Sequence, residues 1–532
     1  MSMLVPPAYA SASGGAALLR RGLLALWLAS APVLCLLWLK VEPSPDQAQF
    51  DYMAWMATQG MPFYSGSFDM NWPGAMLLHL AALRLFGPAP WAWHLADFLL
   101  MQGVAIAAAA LLWRAGFRLA PFVALALYPP VYVTAGGWMA GQRDIIAAGL
   151  SVMACCAMLA PARRELAGLA CAGMLVGAAV MVRPTYLSVL AGLLIIEALP
   201  RAWIGWPRRH GTAARLAAPA AGFALVVLAV VLWALAVGNL DDWYRQSVLF
   251  TAQVYADETP MAMGQTLLVL FGRWWHWMTL CGLVGLALWI TRDRGLRYPL
   301  MLVLGLAAAI LLSFFAQGKG FGYHLAGFLP LLVMLSAVAL DRLAAARRDA
   351  SDPRRRAMAG GALVAMTALV VAGIGAKLAG DAHLLADLRG RGIAPVTGGF
   401  DISAQDQERL VQIIRTGSTP DERMVQYGTA HQIPYLAQRL PAHRFITPAV
   451  ELMQPDFPLY DAWMAEIRDG LETHRPRFVL IMGAPFAATD GGGLVPAGPG
   501  RPMLAALLSH MGDGYRVAMQ GGFGTLFERM AD

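Results

Sequence analysis

The chain has 532 residues, of which 58% are hydrophobic and 14% are charged, and its mean hydropathy is +0.54. Soluble globular domains carry about 25% charged residues, so this composition excludes a water-soluble enzyme and a disordered regulator. The formal net charge of +7 does not indicate a nucleic-acid partner, because most of the arginines fall in loops on one side of a membrane. We therefore expect an integral membrane protein that binds no nucleic acid.

About eleven apolar segments are candidate membrane-spanning helices. The third, fourth and sixth of them are shorter than the others. The segments run over Leu23–Leu39, Trp91–Trp113, Leu119–Val133, Ile145–Leu159, Leu166–Val182, Tyr186–Leu199, Leu216–Val237, Trp275–Ile290, Tyr298–Phe315, Leu325–Leu340 and Gly361–Ala376. All five cysteines lie in apolar runs without a Cys-x-x-Cys pair, which argues against disulfides and a cysteine-bound metal.

Lysine and arginine are distributed unevenly between the loops that join these segments. If the N-terminus is inside, the inside loops hold arginine clusters such as Arg20-Arg21, Arg208-Arg209 and Arg354-Arg355-Arg356, whereas the outside loops hold scattered cations. Cytoplasmic loops are enriched in Lys and Arg, so this bias predicts a cytoplasmic N-terminus. We interpret Trp72–Phe86 as an interfacial helix. Counting it as a span would place every later loop on the opposite side of the membrane and remove the charge bias.

After the last span the composition becomes mixed and polar. Helical stretches there alternate with short β-like runs. We predict a membrane module over residues 1–379, with its first outside loop at residues 40–90, followed by an α/β domain outside the membrane over residues 380–532. The predicted helices are Asp406–Arg415 and Ala462–His474. The predicted strands are Met424–Tyr427, Phe478–Met482 and Tyr515–Met519, and Gly491-Gly492-Gly493 is a predicted flexible connector.

The first outside loop carries an acidic candidate. Asp46, Phe50 and Met53 recur at helical spacing, which places Asp46 in line with an apolar stripe. Asp51 lies about 140° away around the same helix, and we expect it to be solvated. Two interpretations of Asp46 remain open: it only caps the helix, with Gln49 completing a capping box, or it caps the helix and also faces a polar cavity.

Further along this loop, Asp69 and Asn71 precede Pro73-Gly74. Asp, Asn, Pro and Gly are typical turn residues. A turn-forming role and a functional role therefore both stay open for Asp69 and Asn71.

Charged residues also stand at the outside ends of later spans. Arg143 and Asp144 directly precede the fourth span, where charge is costly unless it is paired or lines an aqueous cavity. The alternatives are a local Arg143–Asp144 ion pair or a snorkelling anchor. The other residues at comparable positions are Arg183, Lys319, Tyr323 and His324.

The order of these motifs resembles a known family. The first loop resembles the first periplasmic loop of bacterial C-type (GT-C) glycosyltransferases, which are similar to protein O-mannosyltransferases and lipid A aminoarabinose transferases. Gly141–Asp144, Arg183-Pro184-Thr185 and the Lys319–His324 segment also match family positions. The first-loop residues that carry the resemblance are Asp46, Tyr52, Gly60, Pro62, Tyr64, Asp69, Asn71 and Pro73-Gly74.

The resemblance implies an inverting sugar transfer on the periplasmic face of the bacterial inner membrane. The donor would be a polyprenyl-phosphate-linked sugar, and the acceptor a hydroxyl of a glycan, lipid or protein. Asp46 matches the family's general base, which takes the proton of the attacking hydroxyl. Arg143 and Lys319 are the first candidates for stabilising the phosphate leaving group. The further phosphate-binding candidates are Arg183 and His324, and the supporting or acceptor-binding candidates are Asp69, Asn71, Asp144, Tyr323 and Tyr64.

Two departures from the family pattern concern the site. Gln47 follows Asp46 where Glu is frequent, and Asn71-Trp72-Pro73-Gly74 stands where Lys-Pro-Pro is common, so the lysine of that pattern, a candidate phosphate contact in the family, has no counterpart here. The outside loops contain no Asp-x-Asp pair, although Asp46, Asp69 and Asp144 are suitable ligands for a divalent cation. The sequence leaves metal dependence open.

Two other function classes compete with a transferase. A transporter or flippase for lipid-linked sugars would show inverted repeats and ionisable residues near the middle of the membrane, and neither is evident. A non-catalytic protein of envelope polysaccharide assembly would use its C-terminal domain for binding.

Overall fold

The computed structural model describes residues 14–41, 43–200, 203, 205–256, 262–292, 297–386, 402–483, 485–488, 494–497 and 500–530. The predicted connector Gly491-Gly492-Gly493 lies outside these residues. The chain divides into two compact units, each assembled from separate segments. Unit 1 comprises residues 1–40, 94–229 and 260–393, and unit 2 comprises residues 41–93, 230–259 and 394–532. The predicted boundary between residues 379 and 380 stays a prediction.

Unit 1 is helical. Its helices are long where their sequence is continuously apolar, and they are broken where Gly, Pro or Arg interrupts the run. They are α1 (Gly14–Lys40), α4 (Ala92–Arg114), α5 (Ala120–Val133), α6 (Arg143–Met158), α7 (Glu165–Val182), α8 (Leu187–Ala198), α9 (Thr212–Ala236), α11 (Met263–Val269), α12 (His276–Arg292), α13 (Arg297–Gln317), α14 (Phe328–Asp349) and α15 (Pro353–Ala386). Helices α4 and α9 continue a few residues into unit 2.

Each predicted span falls on one of these helices. Among the described residues, seven helices are long and apolar enough to cross a membrane. An eighth span is possible if the pair Met263–Trp274 and His276–Thr291, bent by 91°, counts as one. The predicted third, fourth and sixth spans correspond to helices α5, α6 and α8 of 14, 16 and 12 residues. The chain is a multi-pass membrane protein, and the total of about eleven spans stays a prediction.

Glycines allow close approach between helices of unit 1. A Cβ added at Gly173 of α7 would lie 1.9 Å from the carbonyl oxygen of Pro219 in α9. A Cβ at Gly285 of α12 would lie 1.8 Å from the carbonyl oxygen of Leu335 in α14. Both distances are below contact range, so no larger residue fits without moving a backbone. Small residues at such crossings are the usual means of packing helices in lipid.

Unit 2 is built on a small sheet with flanking helices. Strands β1 (Met424–Tyr427), β2 (Phe478–Met482), β5 (Tyr515–Gly521) and β6 (Gly524–Arg529) form a four-stranded sheet in the order β1-β2-β6-β5, and β3 (Phe486–Ala488) pairs with β4 (Leu494–Pro496). The β1–β2 pair is parallel, and the β2–β6 and β5–β6 pairs are antiparallel. The helices of unit 2 are α2 (Pro45–Thr58), α3 (Pro73–Phe86), α10 (Leu240–Tyr244), α16 (Ala404–Gly417), α17 (Gln432–Ala437), α18 (Tyr460–His474) and α19 (Pro502–Met511).

The core of unit 2 is shared by all three of its segments. Phe68 from the first segment and Phe250 from the second are fully buried among Phe445 and Trp463 from the third. The four rings pack with centroids 5.2–5.9 Å apart, a separation at which aromatic pairs add stability beyond simple burial. The C-terminal α/β fold therefore includes the loop that precedes α3.

Candidate active site

A polar cluster surrounds the start of helix α6 in unit 1. Arg143 and Asp144 are the first residues of α6, and both are buried. Arg183, at the end of α7, places its Nε 3.3 Å from Oδ1 of Asp144. Gln317, the last residue of α13, accepts a hydrogen bond from Arg183 and donates one of 3.3 Å to Asp144. The Asp144 carboxylate is therefore shared by residues from two further helices.

Hydroxyl groups form hydrogen bonds around this polar cluster. Thr185 and Ser313 hydrogen-bond each other at 2.6 Å, and Gln317 donates to the hydroxyl of Ser313 at 3.1 Å. The Tyr186 hydroxyl donates to the backbone carbonyl of Asp144 at 2.9 Å. A buried polar group without a partner is costly, so these contacts hold the Gln317 side chain and the backbone of Asp144 in place.

The segment after Gln317 in unit 1 carries Lys319, Tyr323 and His324. Lys319 is 6% exposed and stands between Gly318 and Gly320, whose φ values of 68° and 64° lie in the left-handed region that glycine adopts without strain. The Tyr323 ring packs edge-on against His324, with centroids 4.5 Å apart.

His324 is buried close to two arginines. Burial lowers the pKa of its imidazole well below the usual range, and the guanidinium charges of Arg183 and Arg143 lower it further. His324 is therefore neutral at pH 7. Its contribution to a phosphate site would be a hydrogen bond and not a charge.

The N-cap of helix α2 in unit 2 is not Asp46, the residue expected from the sequence. Ser44 is the N-cap, because its side chain accepts a 3.3 Å hydrogen bond from the backbone N–H of Gln47. Pro45 occupies the first helical position, where proline is favoured. The prediction that Asp46 caps this helix is therefore wrong. Asp46 lies in the first turn, half-buried, near enough to the buried His431 for its charge to raise the pKa of that imidazole.

Asp69 is held against the same helix. Gln49, three residues after Asp46 in α2, donates a 2.5 Å hydrogen bond to Oδ2 of Asp69. The backbone N–H of Asn71 donates to Oδ1 of Asp69 at 2.6 Å, which is the turn geometry that its sequence favours. The backbone N–H of Asp69 donates to Oε1 of Gln246 at 3.0 Å. Because residues three apart in a helix share a face, Asp46 and Asp69 belong to one surface of unit 2.

Tyr64 and Asn71 form the framework of this loop. The Tyr64 hydroxyl donates to the carbonyl oxygen of Asn71 at 2.8 Å, and Ser247 donates to the same oxygen at 2.9 Å. Tyr64 is fully buried, and its φ of 67° is unusual for a residue with a side chain. Its ring stacks on Trp243. The contacts of Tyr64 and Asn71 position the loop on either side of Asp69.

Asp51 is not solvated, contrary to the sequence-based expectation. Its Oδ1 lies 2.7 Å from Nδ1 of His79 in helix α3, and the His79 ring stacks on Trp93 with centroids 3.7 Å apart. Burial raises the pKa of Asp51, while the His79 contact opposes that increase. This pair joins α2 to α3, on a different side of α2 from Asp46.

Comparison with solved structures gives a full-length match. ArnT from Cupriavidus metallidurans bound to undecaprenyl phosphate aligns over 96% of this chain and 98% of its own, with a TM-score of 0.59 and 17% identity. Its apo state aligns over the same shares with a TM-score of 0.58 and 16% identity. This chain has the ArnT fold. The predicted fold class, a polytopic helical membrane protein with a C-terminal α/β domain, is therefore confirmed.

A further similarity is weaker. The archaeal oligosaccharyltransferase AglB from Archaeoglobus fulgidus, in complex with an inhibitory peptide and a dolichol-phosphate, aligns over 88% of this chain and 74% of its own, with a TM-score of 0.47 and 13% identity. No protein-family model and no curated protein matches the chain.

Within the ArnT fold, the structure adds residues that sequence reasoning did not select. Gln317 contacts both Arg183 and Asp144, and Gln49 and Gln246 hold Asp69. The available signal for Gln317 was a polar residue at the end of an apolar helix, directly before Gly318-Lys319. Among the described residues no group of three His, Cys, Asp or Glu side chains is arranged to hold a metal, and metal dependence stays open.

Proposed function

We propose that this protein is a glycosyltransferase that moves a sugar from a polyprenyl-phosphate donor to a hydroxyl acceptor on the periplasmic face of the inner membrane. The observation that carries the proposal is the buried cationic cluster of unit 1, at the ends of apolar helices. There Arg143 and Lys319 are buried, and Arg183 lies 3.3 Å from the Asp144 carboxylate. ArnT, which has the same fold, was solved with undecaprenyl phosphate. A lipid phosphate at the membrane surface is the ligand that such a cluster fits.

The proposed roles follow from charge and contact. Arg143 and Lys319 stabilise the charge that grows on the leaving phosphate, as preorganised cations do in a low-dielectric site. Arg183 already shares its charge with Asp144 at 3.3 Å, so it contributes less to a phosphate and mainly orients the cluster. His324 supplies a hydrogen bond, and Tyr323 packs against its ring.

Asp46 is the proposed general base. A hydroxyl is a weak nucleophile, so a carboxylate must accept its proton as the bond to the sugar forms. The helix cap is supplied by Ser44, so the Asp46 carboxylate is not the N-cap acceptor. The acceptor is a glycan, a lipid or a protein, and inversion at the sugar follows from direct displacement.

Binding of undecaprenyl phosphate tests the donor site without knowledge of the sugar. Purified protein in detergent is titrated with undecaprenyl phosphate and with undecaprenol, which lacks the phosphate. We expect the phosphate form to bind more tightly. We also expect Arg143→Ala and Lys319→Ala each to weaken binding by roughly 10–100-fold, the value of one charge-assisted hydrogen bond. Arg84→Ala removes an exposed cation and is the matched control; equal binding by all variants contradicts the site.

Transfer activity tests the base. Asp46→Asn keeps the size of the side chain and removes its basicity, so we expect turnover to fall by about 10²–10⁴. Asp51→Asn is the same substitution five residues further along α2, in a residue that contacts His79, and it should retain turnover. Near-normal transfer by Asp46→Asn would place the base elsewhere.

Orientation is tested separately. Alkaline phosphatase is active only outside the cytoplasm, so a fusion after Asp532 should be active if unit 2 is periplasmic. A cytoplasmic reporter that is active at the same position would overturn the assigned face. Use of a polyprenyl-phosphate sugar in preference to the matching nucleotide sugar distinguishes the lipid-linked donor.

A further inference from the structure

A second cationic site lies in unit 1, in a cavity of about 570 Å³. The cavity is lined where helices α1, α5 and α15 begin and α14 ends. Its lining includes Arg20 of α1, Arg118 before α5, and Arg347 and Arg348 of α14. These arginines belong to the loops that the charge bias predicts to be cytoplasmic. The cavity is large enough for the headgroup of a lipid.

The charge of this cavity is strongly positive. Five arginines, including Arg356 of α15, face one carboxylate, Asp341. Asp341 is 2% exposed and accepts a 2.9 Å hydrogen bond from the backbone N–H of Arg118, so it is already engaged. Within the described residues, no carboxylate lies within salt-bridge distance of Arg20, Arg347 or Arg348. The N-terminal ends of α5 and α15 add positive potential to the same place.

The cavity also has an apolar wall. Leu19, Leu119 and Leu363 line it beside the arginines. Leu19 is 51% exposed, and the adjacent Leu18 is 71% exposed, as expected for side chains that face lipid. An anion with no hydrocarbon would leave this wall in contact with water. An amphiphile satisfies both halves, with its phosphate at the arginines and its chains along the leucines.

We propose that this cavity binds the phosphate of an anionic phospholipid headgroup. The guanidinium group matches a phosphate with two parallel hydrogen bonds, and basic pockets between membrane helices are suited to anionic headgroups. The bound lipid ties α1, α5, α14 and α15 together at one membrane surface. This site is separate from the donor cluster and adds a lipid-binding function to the proposed transfer.

Native mass spectrometry of the full-length protein in detergent tests the proposal. Phosphatidylglycerol and phosphatidylcholine, with identical chains, are added to wild type, to Arg347→Gln with Arg348→Gln, and to Arg354→Gln with Arg355→Gln. The last variant removes two exposed arginines near the start of α15 that do not line the cavity. We expect phosphatidylglycerol to bind in preference to phosphatidylcholine. The affinity of the cavity variant for phosphatidylglycerol should fall by about tenfold to a hundredfold, and the control variant should keep the wild-type affinity.

Two results would overturn the assignment. One is equal retention of phosphatidylglycerol by the cavity variant and the control. The other is thermal stabilisation of lipid-free protein by inorganic phosphate, lost in the cavity variant, without preferential binding of phosphatidylglycerol; the ligand would then be a soluble phosphate. If the double variant does not fold, Arg20→Gln in α1 serves in its place, judged by the same preference.

Discussion

The backbone N–H of Phe68 donates a 2.8 Å hydrogen bond to the carbonyl oxygen of Arg444. The guanidinium group of Arg444 extends back to the same loop, where it donates to the carbonyl oxygen of Tyr64 at 3.1 Å. It also contacts Asp242 at 2.7 Å and Glu466 at 2.8 Å. Arg444, a residue of the C-terminal segment, thus holds the loop that carries Asp69. The C-terminal segment of unit 2 therefore helps to position that loop.

Replacement of Arg444 should therefore release the loop. We expect Arg444→Ala to lower the free energy of unfolding by about 1–3 kcal/mol, since it removes charge-assisted contacts that are partly exposed. Limited proteolysis of the full-length protein should then cut more readily near residues 60–70. Arg409→Ala, an exposed arginine on α16, is the control. Unchanged cleavage in Arg444→Ala would show that the aromatic core alone holds the loop.

The Asp144–Arg183 pair should contribute to stability. Asp144→Ala leaves a largely buried guanidinium group without its carboxylate, and breaking such a pair costs about 3–5 kcal/mol. Asp144→Asn should cost less, because its amide oxygen still accepts from Gln317. Thermal unfolding in detergent measures the difference. Asp352→Ala, at a more exposed position, should leave the midpoint nearly unchanged, and an equal midpoint for Asp144→Ala would contradict the pairing.

The Asp51–His79 pair predicts a loss of stability with no loss of chemistry. Asp51→Ala leaves the buried His79 without its partner, at a cost of about 1–3 kcal/mol. Turnover per folded molecule should be unaffected. Scanning calorimetry and transfer assays on the same preparation separate the two effects. A variant that is as stable as wild type but inactive would assign Asp51 to the chemistry instead.

Two buried histidines predict how unit 2 responds to acid. Burial lowers the pKa of His431 to about 4 and that of His443 to about 4, from an ordinary value of 6.5. Between these values the unfolded chain binds more protons than the folded one, so stability falls as pH decreases from 6.5 towards 4. Each histidine contributes up to about 3 kcal/mol.

Chemical unfolding of the full-length protein at pH 7.5 and pH 4.5 measures this dependence. His431→Gln is a suitable variant, because an amide can replace the 3.0 Å hydrogen bond from Nε2 to the carbonyl oxygen of Ile446. With His443→Gln added, the loss of stability at pH 4.5 should shrink. Identical pH dependence in wild type and the double variant would assign the acid sensitivity to carboxylates.

Short-range signals were read from the sequence more reliably than long-range contacts. Strands Met424–Tyr427 and Phe478–Met482 begin and end where their buried apolar runs predict. Pro45 indicates that Ser44 is the cap, since proline favours the first helical position. Asp46 is also a preferred capping residue, and it was chosen instead. Helix α19 (Pro502–Met511) was not predicted, although it begins with proline and buries apolar residues at helical spacing. Strand β6 (Gly524–Arg529) was also not predicted, because its pairing with β2 and β5 is set by packing in unit 2.

The site required information of another kind. Asp51 and His79 are 28 residues apart, and Gln317 and Asp144 are 173 apart. No local periodicity links such pairs. The residue types at the outer ends of the spans were recognisable because charge next to an apolar run is costly, whereas their partners are set by the tertiary fold.

The construction of unit 2 from three segments has a consequence for biogenesis. Tyr64 and the Arg444 side chain that binds its carbonyl are 380 residues apart. At a synthesis rate of about 5–20 residues per second, the first loop waits roughly 20–75 s for that partner. During this interval Phe68 has none of the C-terminal aromatic side chains that later enclose it. We therefore expect the nascent loop to bind a chaperone or the membrane surface during this interval. Its burial in unit 2 is one of the last events in assembly.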